Sequence, residues 1–419
     1  MSILEKLMHK KKSAALLFLC LALTGCSLRQ EDVPAPAETA GQEAEYINDT
    51  EESLLQDGGN VAAFSVAMSE QTPEETPQET SEEMPQETPA PTEEPEDTSF
   101  DFTICFAGDI NLDEKWDTTL FLNEQPDGIY DCISPELVET MRAADIMCLN
   151  NEFTYSTGGA PLPGKAYTFR ADPERVEVLK QLGVDAVTLA NNHVYDYGEE
   201  ALLDTFTVLE EAEVPYFGAG RTLEDAMKPL YLEVEGKTIA LVAASRAEKN
   251  KMTPQATDKS PGILRCYDTE LFLQVIREAK ANADFCIAFV HWGTEYSYDL
   301  EQVQLNTGKE YLDAGADVII GAHSHCLQGM EYYDGKPIIY SLGNYWFNNK
   351  TLDTMLLQLH FSGDDSQTQL TVQVVPAVQS GCRTTYVPEA EEQRRIYDFL
   401  ESISVNVEIS DEGIVTEAE

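Results

Sequence analysis

Beyond about residue 100 the chain alternates between two hydrophobic periods. Short apolar runs at 102–107, 145–149, 186–190, 285–290 and 318–320 have the length of buried strands, and each gives way to polar residues. Between them, apolar positions recur every three to four residues. That spacing predicts amphipathic helices over 134–143, entered through Ser134-Pro135, and over 173–182, 199–212, 268–282 and 301–314. Two pairs of β-rich runs have no helix between their members: 229–235 with 237–244, joined at Glu235-Gly236-Lys237, and 354–361 with 368–376. Strands alternating with helices pair in parallel and hairpins add antiparallel neighbours, so the expected class is α/β with mixed sheets. Such a chain packs as two sheets with helices outside.

The first hundred residues follow neither period. Residues 1–26 join a basic start (Lys6, Lys10, Lys11, Lys12) to an apolar stretch too short for a retained transmembrane helix, the form of a secretory signal peptide. Its end, Leu23-Thr24-Gly25-Cys26, resembles the bacterial lipobox. The resemblance implies a lipoprotein signal peptide, with Cys26 acylated as the first mature residue and the protein held on a lipid membrane, at the extracytoplasmic face of the cell. Two or more buried acyl chains give stable anchoring. Residues 27–99 read as a disordered linker rich in Pro, Glu and Thr: between 31 and 100 there are 20 Asp plus Glu and no Lys or Arg. Little apolar surface and strong like-charge repulsion keep such a segment extended. The globular domain is then expected over 100–404, with 405–419 as an acidic C-terminal tail.

Charge narrows the partners. Residues 101–419 hold 22 basic and 54 acidic residues, 22 − 54 = −32. That excludes nucleic acid and opposes unaided binding of a polyanion. Seven cysteines follow Cys26. Cys105, Cys148 and Cys286 lie within apolar runs as small core residues, and the spacing of Cys132, Cys266, Cys326 and Cys382 shows no disulfide framework while leaving a pairing open.

The chemistry sits just past the apolar runs. In order these are Gly108-Asp109, Asn150-Asn151-Glu152, Asn192-His193-Val194-Tyr195-Asp196, His291-Trp292-Gly293 and Gly321-Ala322-His323-Ser324-His325, which together hold four of the six histidines. In open α/β sheets the ligand crevice lies beyond the carboxyl ends of the strands, where all five motifs fall. Asp109 and Glu152 can project carboxylates there, with Glu152 suited to bridge two cations. The Asn192 amide oxygen suits a hard or borderline cation, and His193 can donate a proton if Asp196 orients it. His323 and His325 are two residues apart, so in an extended segment both rings would face one side and hold one metal or two adjacent ones.

Taken together these motifs resemble the calcineurin-like metallophosphoesterase superfamily, and more closely the CapA family of poly-γ-glutamate capsule synthesis proteins. The closer likeness is carried by Ala190-Asn191-Asn192-His193 with Asp196-Tyr197-Gly198, Phe217-Gly218-Ala219-Gly220, His291-Trp292-Gly293-Thr294-Glu295-Tyr296, the run from Gly315 to His325, and Tyr340-Ser341-Leu342-Gly343-Asn344. It extends from about Phe102 to about Pro376. The resemblance implies a four-layer α/β/β/α metallophosphoesterase-like sandwich. It implies metal positions at Asp109, Glu152, Asn192, His291, His323 and His325, a proton-donating His193, and two divalent cations. Mn, Fe or Zn match the mixed imidazole and carboxylate set. Two departures stand out. Asn111 occupies the place where the wider superfamily has a histidine, and Glu152 replaces the usual bridging aspartate, a change the CapA family shares.

Two functions follow. One is a metal-dependent hydrolase in poly-γ-glutamate capsule synthesis or export, in which a metal-bound hydroxide attacks a phosphoester or γ-glutamyl amide. The other is a non-catalytic assembly factor that binds polyglutamate beside capsule-synthesis membrane proteins. Asn150, Lys165 and Arg170 are the candidate substrate-binding residues, the two cations supplying a local patch against the domain's negative charge.

Overall fold

The computed structural model describes residues 98–418. The signal segment with Cys26, and residues 27–97 of the linker, lie outside the described residues. Two mixed sheets dominate. The first is built on β1 (Phe100–Ile110), which pairs in parallel with β2 (Ile146–Asn151), followed outward by β3 (Ala186–Thr188) and β4 (Tyr216–Phe217). The second runs from the hairpin of β5 (Leu230–Val234) and β6 (Lys237–Ser245) through β7 (Phe285–His291) and β8 (Val318–Ala322). It closes with the antiparallel pair β9 (Leu327–Tyr333) and β10 (Lys336–Leu342), β10 lying parallel to β8. The chain then returns to the first sheet. There β11 (Asn344–Trp346) runs parallel to the end of β1, and β12 (Leu352–Asp364) flanks β1 antiparallel and pairs with β13 (Gln367–Ser380).

Side-chain alternation along β1 sorts the layers. Phe102, Ile104 and Phe106 enter a buried cluster shared with Ile239, Leu241, Ile287, Phe289 and Ile320 of the second sheet, so this face is the seam between sheets. Within it Phe361 stacks on Phe102 at 5.3 Å and meets Phe285 at 4.5 Å. The alternate residues Cys105 and Ala107 pack outward, with Met147, Leu149 and Val187, against the helices α1 (Pro135–Ala143), α2 (Glu177–Leu182) and α3 (Gly198–Glu211). On the far side Ala240, Val242, Ala288, Val290 and Ile319 pack against α4 (Glu270–Ala281) and α5 (Gln302–Asp313). The α4 residues Phe272, Val275, Ile276 and Ala279 are buried at the spacing of a single helix face. This is the four-layer α/β/β/α sandwich. Each large apolar side chain buried in it contributes on the order of 1.5–3 kcal/mol.

The expected helices and hairpins appear within a few residues of their predicted ends. Three features differ. Residues 405–419 are not a tail outside the domain: β15 (Val407–Ile409) and β16 (Ile414–Glu417) pair with each other, and β16 pairs with β13, after β14 (Arg383–Tyr386) and α6 (Ala390–Ser402). Val407, Ile409 and Val415 bury in the seam, which outweighs the acidic composition of that stretch. The hairpin of β9 and β10 is an element the apolar pattern does not mark; its two-residue turn is Asp334-Gly335. Finally, all seven cysteines after Cys26 are buried free thiols.

Candidate metal centre and its cleft

The carboxyl ends of β1 and β2, parallel in the first sheet, and of β7 and β8, parallel in the second, carry the polar motifs. A parallel sheet aligns all its carboxyl ends, so side chains far apart in sequence converge there. Asp109 is the next-to-last residue of β1, where its N–H donates to the Gly343 carbonyl at 2.9 Å. Gly108 permits that approach: a Cβ there would lie 1.9 Å from the Gly343 oxygen. Asn150 and Asn151 end β2 and Glu152 follows, all three fully buried. His291 is the last residue of β7. After β8, His323 and His325 take φ of +98° and +56°. Non-glycine residues seldom occupy this region, and such strain concentrates at functional sites.

That turn corrects the extended geometry expected for the His-x-His pair. Their rings stand 6.2 Å apart and join different groups of ligand atoms. One group is Glu152, His291 and His323; the other is Asp109, Glu152 and His325, each with its atoms within 4.8 Å of one another. Glu152 belongs to both. The Asn192 amide oxygen lies 2.7 Å from His291 Nε2, at the edge of the first group. Asn111 is fully buried beside them, and its Oδ1 accepts from the Asp113 N–H at 2.8 Å.

The electrostatics fit divalent cations. Glu152 Oε1 and His323 Nδ1 are buried with no hydrogen-bond partner among the described residues, a costly state for protein atoms unless something else satisfies them, while Asp109 Oδ2 lies 3.3 Å from His325 Nδ1. Burial and the neighbouring Asp109 charge push the Glu152 carboxyl well above its ordinary value. Burial would also raise Asp109, but the hydrogen bond and charge of His325, with His291 and Asn150, hold it below the ordinary range. Burial drives His291 down to about 3 and His323 well below the ordinary histidine value. Two carboxylates crowded together, with the His291 and His323 imidazoles kept neutral, are donors that a cation pair takes, while His325 is held above the ordinary histidine value: burial would lower it, but the Asp109 hydrogen bond and charge outweigh that.

Asn150, assigned from sequence to substrate, instead stands behind the ligands. Its amide donates to Asp109 Oδ1 at 2.7 Å, and its oxygen accepts from Asn191 at 3.0 Å. His193 points Nδ1 at Asp196 Oδ2 (2.6 Å), and its Nε2 is 4.0 Å from Glu152 Oε1. Neither lysine nor arginine of the proposed patch presents its charge to a ligand. Lys165 is 5% exposed, with Nζ 2.6 Å from Asp196 Oδ1, and Arg170 lies over the Tyr197 ring and donates to the Gly158 carbonyl at 2.6 Å.

Outside His193 and His325 opens a cavity of about 330 Å³ walled by Trp116, Tyr167, Phe169, Tyr296 and Phe347. Phe169 packs on His193 at 4.4 Å and Phe347 on His325 at 4.6 Å between ring centres. Among the described residues the cation at this cleft is Lys350, its Nζ 3.5 Å from the centre of the Tyr296 ring. Sequence reasoning missed Lys350, Asn191 and Asn344. Asn191 and Asn344 fall inside quoted motifs; Asn344 Oδ1 lies 2.8 Å from His325 Nδ1. Lys350 follows a strand with no motif to mark it.

Fold and ligand set together define a four-layer α/β/β/α protein with a candidate metal centre at the carboxyl ends of its strands. Residues 103–349 match the model of the bacterial capsule synthesis protein family PGA_cap, and the chain belongs to that family. It is 33% identical over 261 residues to the PGA biosynthesis protein CapA of Bacillus subtilis (strain 168), covering 61% of this chain and 66% of that one. It is 34% identical over 237 residues to the capsule biosynthesis protein CapA of Bacillus anthracis, covering 55% and 56%. The chain thus spans less than two thirds of the length of these curated relatives. Among solved structures, a hypothetical protein from Thermus thermophilus aligns with 16% identity and a TM-score of 0.39, covering 67% of this chain and 99% of that one. The NAD nucleotidase of Haemophilus influenzae aligns with 12% identity and a TM-score of 0.35, covering 73% and 64%.

Proposed function

We propose that this protein is a metal-dependent hydrolase of poly-γ-glutamate capsule synthesis or export, held through an acylated Cys26 on the extracytoplasmic face of the membrane. The observation that carries the catalytic part is Glu152, one buried carboxylate shared by two three-residue ligand groups. Asp109, Glu152, Asn192, His291, His323 and His325 would hold two cations of the Mn, Fe or Zn kind. Bound there, they would supply Lewis-acid polarisation of a phosphoryl or acyl group and lower the pKa of water. The chain's own residues do the rest. Phe169 and Phe347 exclude water around His193 and His325. With Nδ1–H donated to Asp196, His193 Nε2 is free to take up a second proton and, as the imidazolium, pass that proton to the leaving oxygen or nitrogen. Lys350 stands at the mouth to receive a carboxylate or phosphate of the ligand.

The relatives' names tie the family to capsule and poly-γ-glutamate biosynthesis, which makes a γ-glutamyl amide or a phosphoester the substrate classes to test. The missing histidine at Asn111 favours a second reading, a polyglutamate-binding assembly factor that acts with capsule-synthesis membrane proteins and turns nothing over. Metal analysis of the purified protein, then turnover of p-nitrophenyl phosphate and γ-glutamyl p-nitroanilide with Mn²⁺, separates the two. Hydrolysis abolished by His193→Ala supports the enzyme; two bound cations with no hydrolysis of either compound support the assembly factor. A metal-free protein that gains no cation on dialysis against Mn²⁺ or Zn²⁺ overturns both.

A further inference from the structure

Asp196 is a hub. Its Oδ2 holds His193 Nδ1 at 2.6 Å and accepts the Phe169 N–H at 2.7 Å; its backbone carbonyl accepts the Leu162 N–H at 2.9 Å; its Oδ1 faces Lys165 Nζ at 2.6 Å. Lys165 also donates to the Asn192 carbonyl, which takes the Thr253 hydroxyl at 2.8 Å as well. The lysine side chain is 5% exposed and that of Asp196 is fully buried. A buried cation carries a large desolvation penalty, so a lone structural pin of this kind is a costly way to fasten a loop. This one lies one bond network away from His193, the imidazole that lines the cleft without belonging to either ligand group.

We propose that Lys165 is a positioning residue for His193, working through Asp196, and that the three form one unit: Lys165 fixes Asp196, and Asp196 fixes which nitrogen of His193 carries the proton. With Oδ1 occupied by the ammonium, the carboxylate cannot rotate away from Nδ1, and its charge stays on the side that accepts Nδ1–H. The Nε2 atom is left aimed at the cleft. The same ion pair clips the loop that carries Tyr167 and Phe169, so the wall packed against His193 and the orientation of His193 are set by one side chain. The proposal rests on the hydrolase reading for its kinetic consequence, but not for its structural one.

The test is chosen to keep these apart. In the full-length protein loaded with Zn²⁺, with 15N-labelled histidine, two-bond proton–nitrogen spectra report which ring nitrogen of His193 is protonated, the signal being assigned by its loss in His193→Ala. The wild type should show Nδ1–H alone. Lys165→Met should show a mixture of both tautomers, and Lys165→Arg should restore Nδ1–H. Thr253→Val, which removes the other tie on Asn192 but leaves Asp196 untouched, should read as wild type. If the protein hydrolyses p-nitrophenyl phosphate, Lys165→Met should lower kcat in proportion to the Nδ1–H fraction lost, short of the roughly 10²–10⁴ of a deleted acid–base group, with KM changed less than threefold and bound metal unchanged. A His193 that keeps a pure Nδ1–H in folded Lys165→Met overturns the proposal whether or not the protein is an enzyme. Should Lys165→Met not fold, Lys165→Gln is read in its place with the same two outcomes. Absence of turnover in every variant, with the tautomer shift present, sinks the hydrolase reading and leaves the positioning role standing.

Discussion

Asn150→Ala tests whether the layer behind the ligands matters as the geometry requires. Asn150 touches no cleft surface; it is fully buried and acts through its neighbours. Its amide makes a 2.7 Å hydrogen bond to Asp109 Oδ1, and a bond to a charged acceptor is worth about 1.5–3 kcal/mol. Its oxygen takes the Asn191 amide at 3.0 Å, and Asn191 in turn caps the backbone N–H groups of His193 and Val194 at 3.0 Å each. Truncation therefore frees the Asp109 carboxylate to rotate and loosens the loop that presents Asn192. Loss of an outer partner of this kind lowers metal affinity by roughly 10–100-fold, and at about 1.4 kcal/mol per decade this corresponds to roughly 1.4–2.8 kcal/mol. The two routes agree. Competition for Zn²⁺ against a fluorescent chelator measures the shift, and far-UV circular dichroism verifies that the variant is folded. Binding of both ions within threefold of wild type would refute the assignment of Asn150 as the support of Asp109.

Glu152→Gln removes the charge that both ligand groups share, so bound metal should fall below one ion per chain by elemental analysis; loss of a single ion would mean that the carboxylate serves one site only. Gly108→Ala places a methyl 1.9 Å from the Gly343 carbonyl oxygen, and because both partners are backbone it should destabilise the domain by about 1–3 kcal/mol in urea unfolding. An unchanged midpoint would contradict that packing. The Glu114–Arg175 pair adds a pH dependence. The Arg175 hydrogen bond holds Glu114 below its ordinary 4.5, so its contribution is complete above that value and disappears as pH falls through the lowered folded value. The pair is partly exposed and worth roughly 0.2–1 kcal/mol. Arg175→Ala should therefore be less stable than wild type at pH 7 and level with it at acid pH; a gap that widens on acidification would reverse the sign.

Much of this molecule is written in local pattern. The runs at 102–107, 285–290 and 318–320 had to be strands because they are almost wholly apolar and short runs of that kind bury on both faces. The helix over 270–281 was legible because Phe272, Val275, Ile276 and Ala279 fall on one face. The ligand types at the strand ends were legible for the same reason: a polar residue directly after a buried strand has no choice but to stand at the sheet edge. Residues 405–419 were misread because their acidic composition hides Val407, Ile409 and Val415, whose burial depends on a partner strand far upstream, where Val415 pairs with Val372.

The sequence alone, then, determined the alternating strands and helices, the hairpins at 229–244 and 354–376, the two-sheet class and the kinds of donor present at the strand ends. Tertiary structure alone decided which donors meet. Whether His323 and His325 share one neighbourhood or divide between two depends on left-handed backbone at both, which no residue preference announces. Whether Lys165 serves a ligand or Asp196 depends on how a loop folds over the site, and Lys350 reaches the cleft only because β11 returns the chain to β1. Periodicity is a property of neighbours in sequence and survives without a fold. A site is a property of distances, and those exist only once the two sheets have closed on each other.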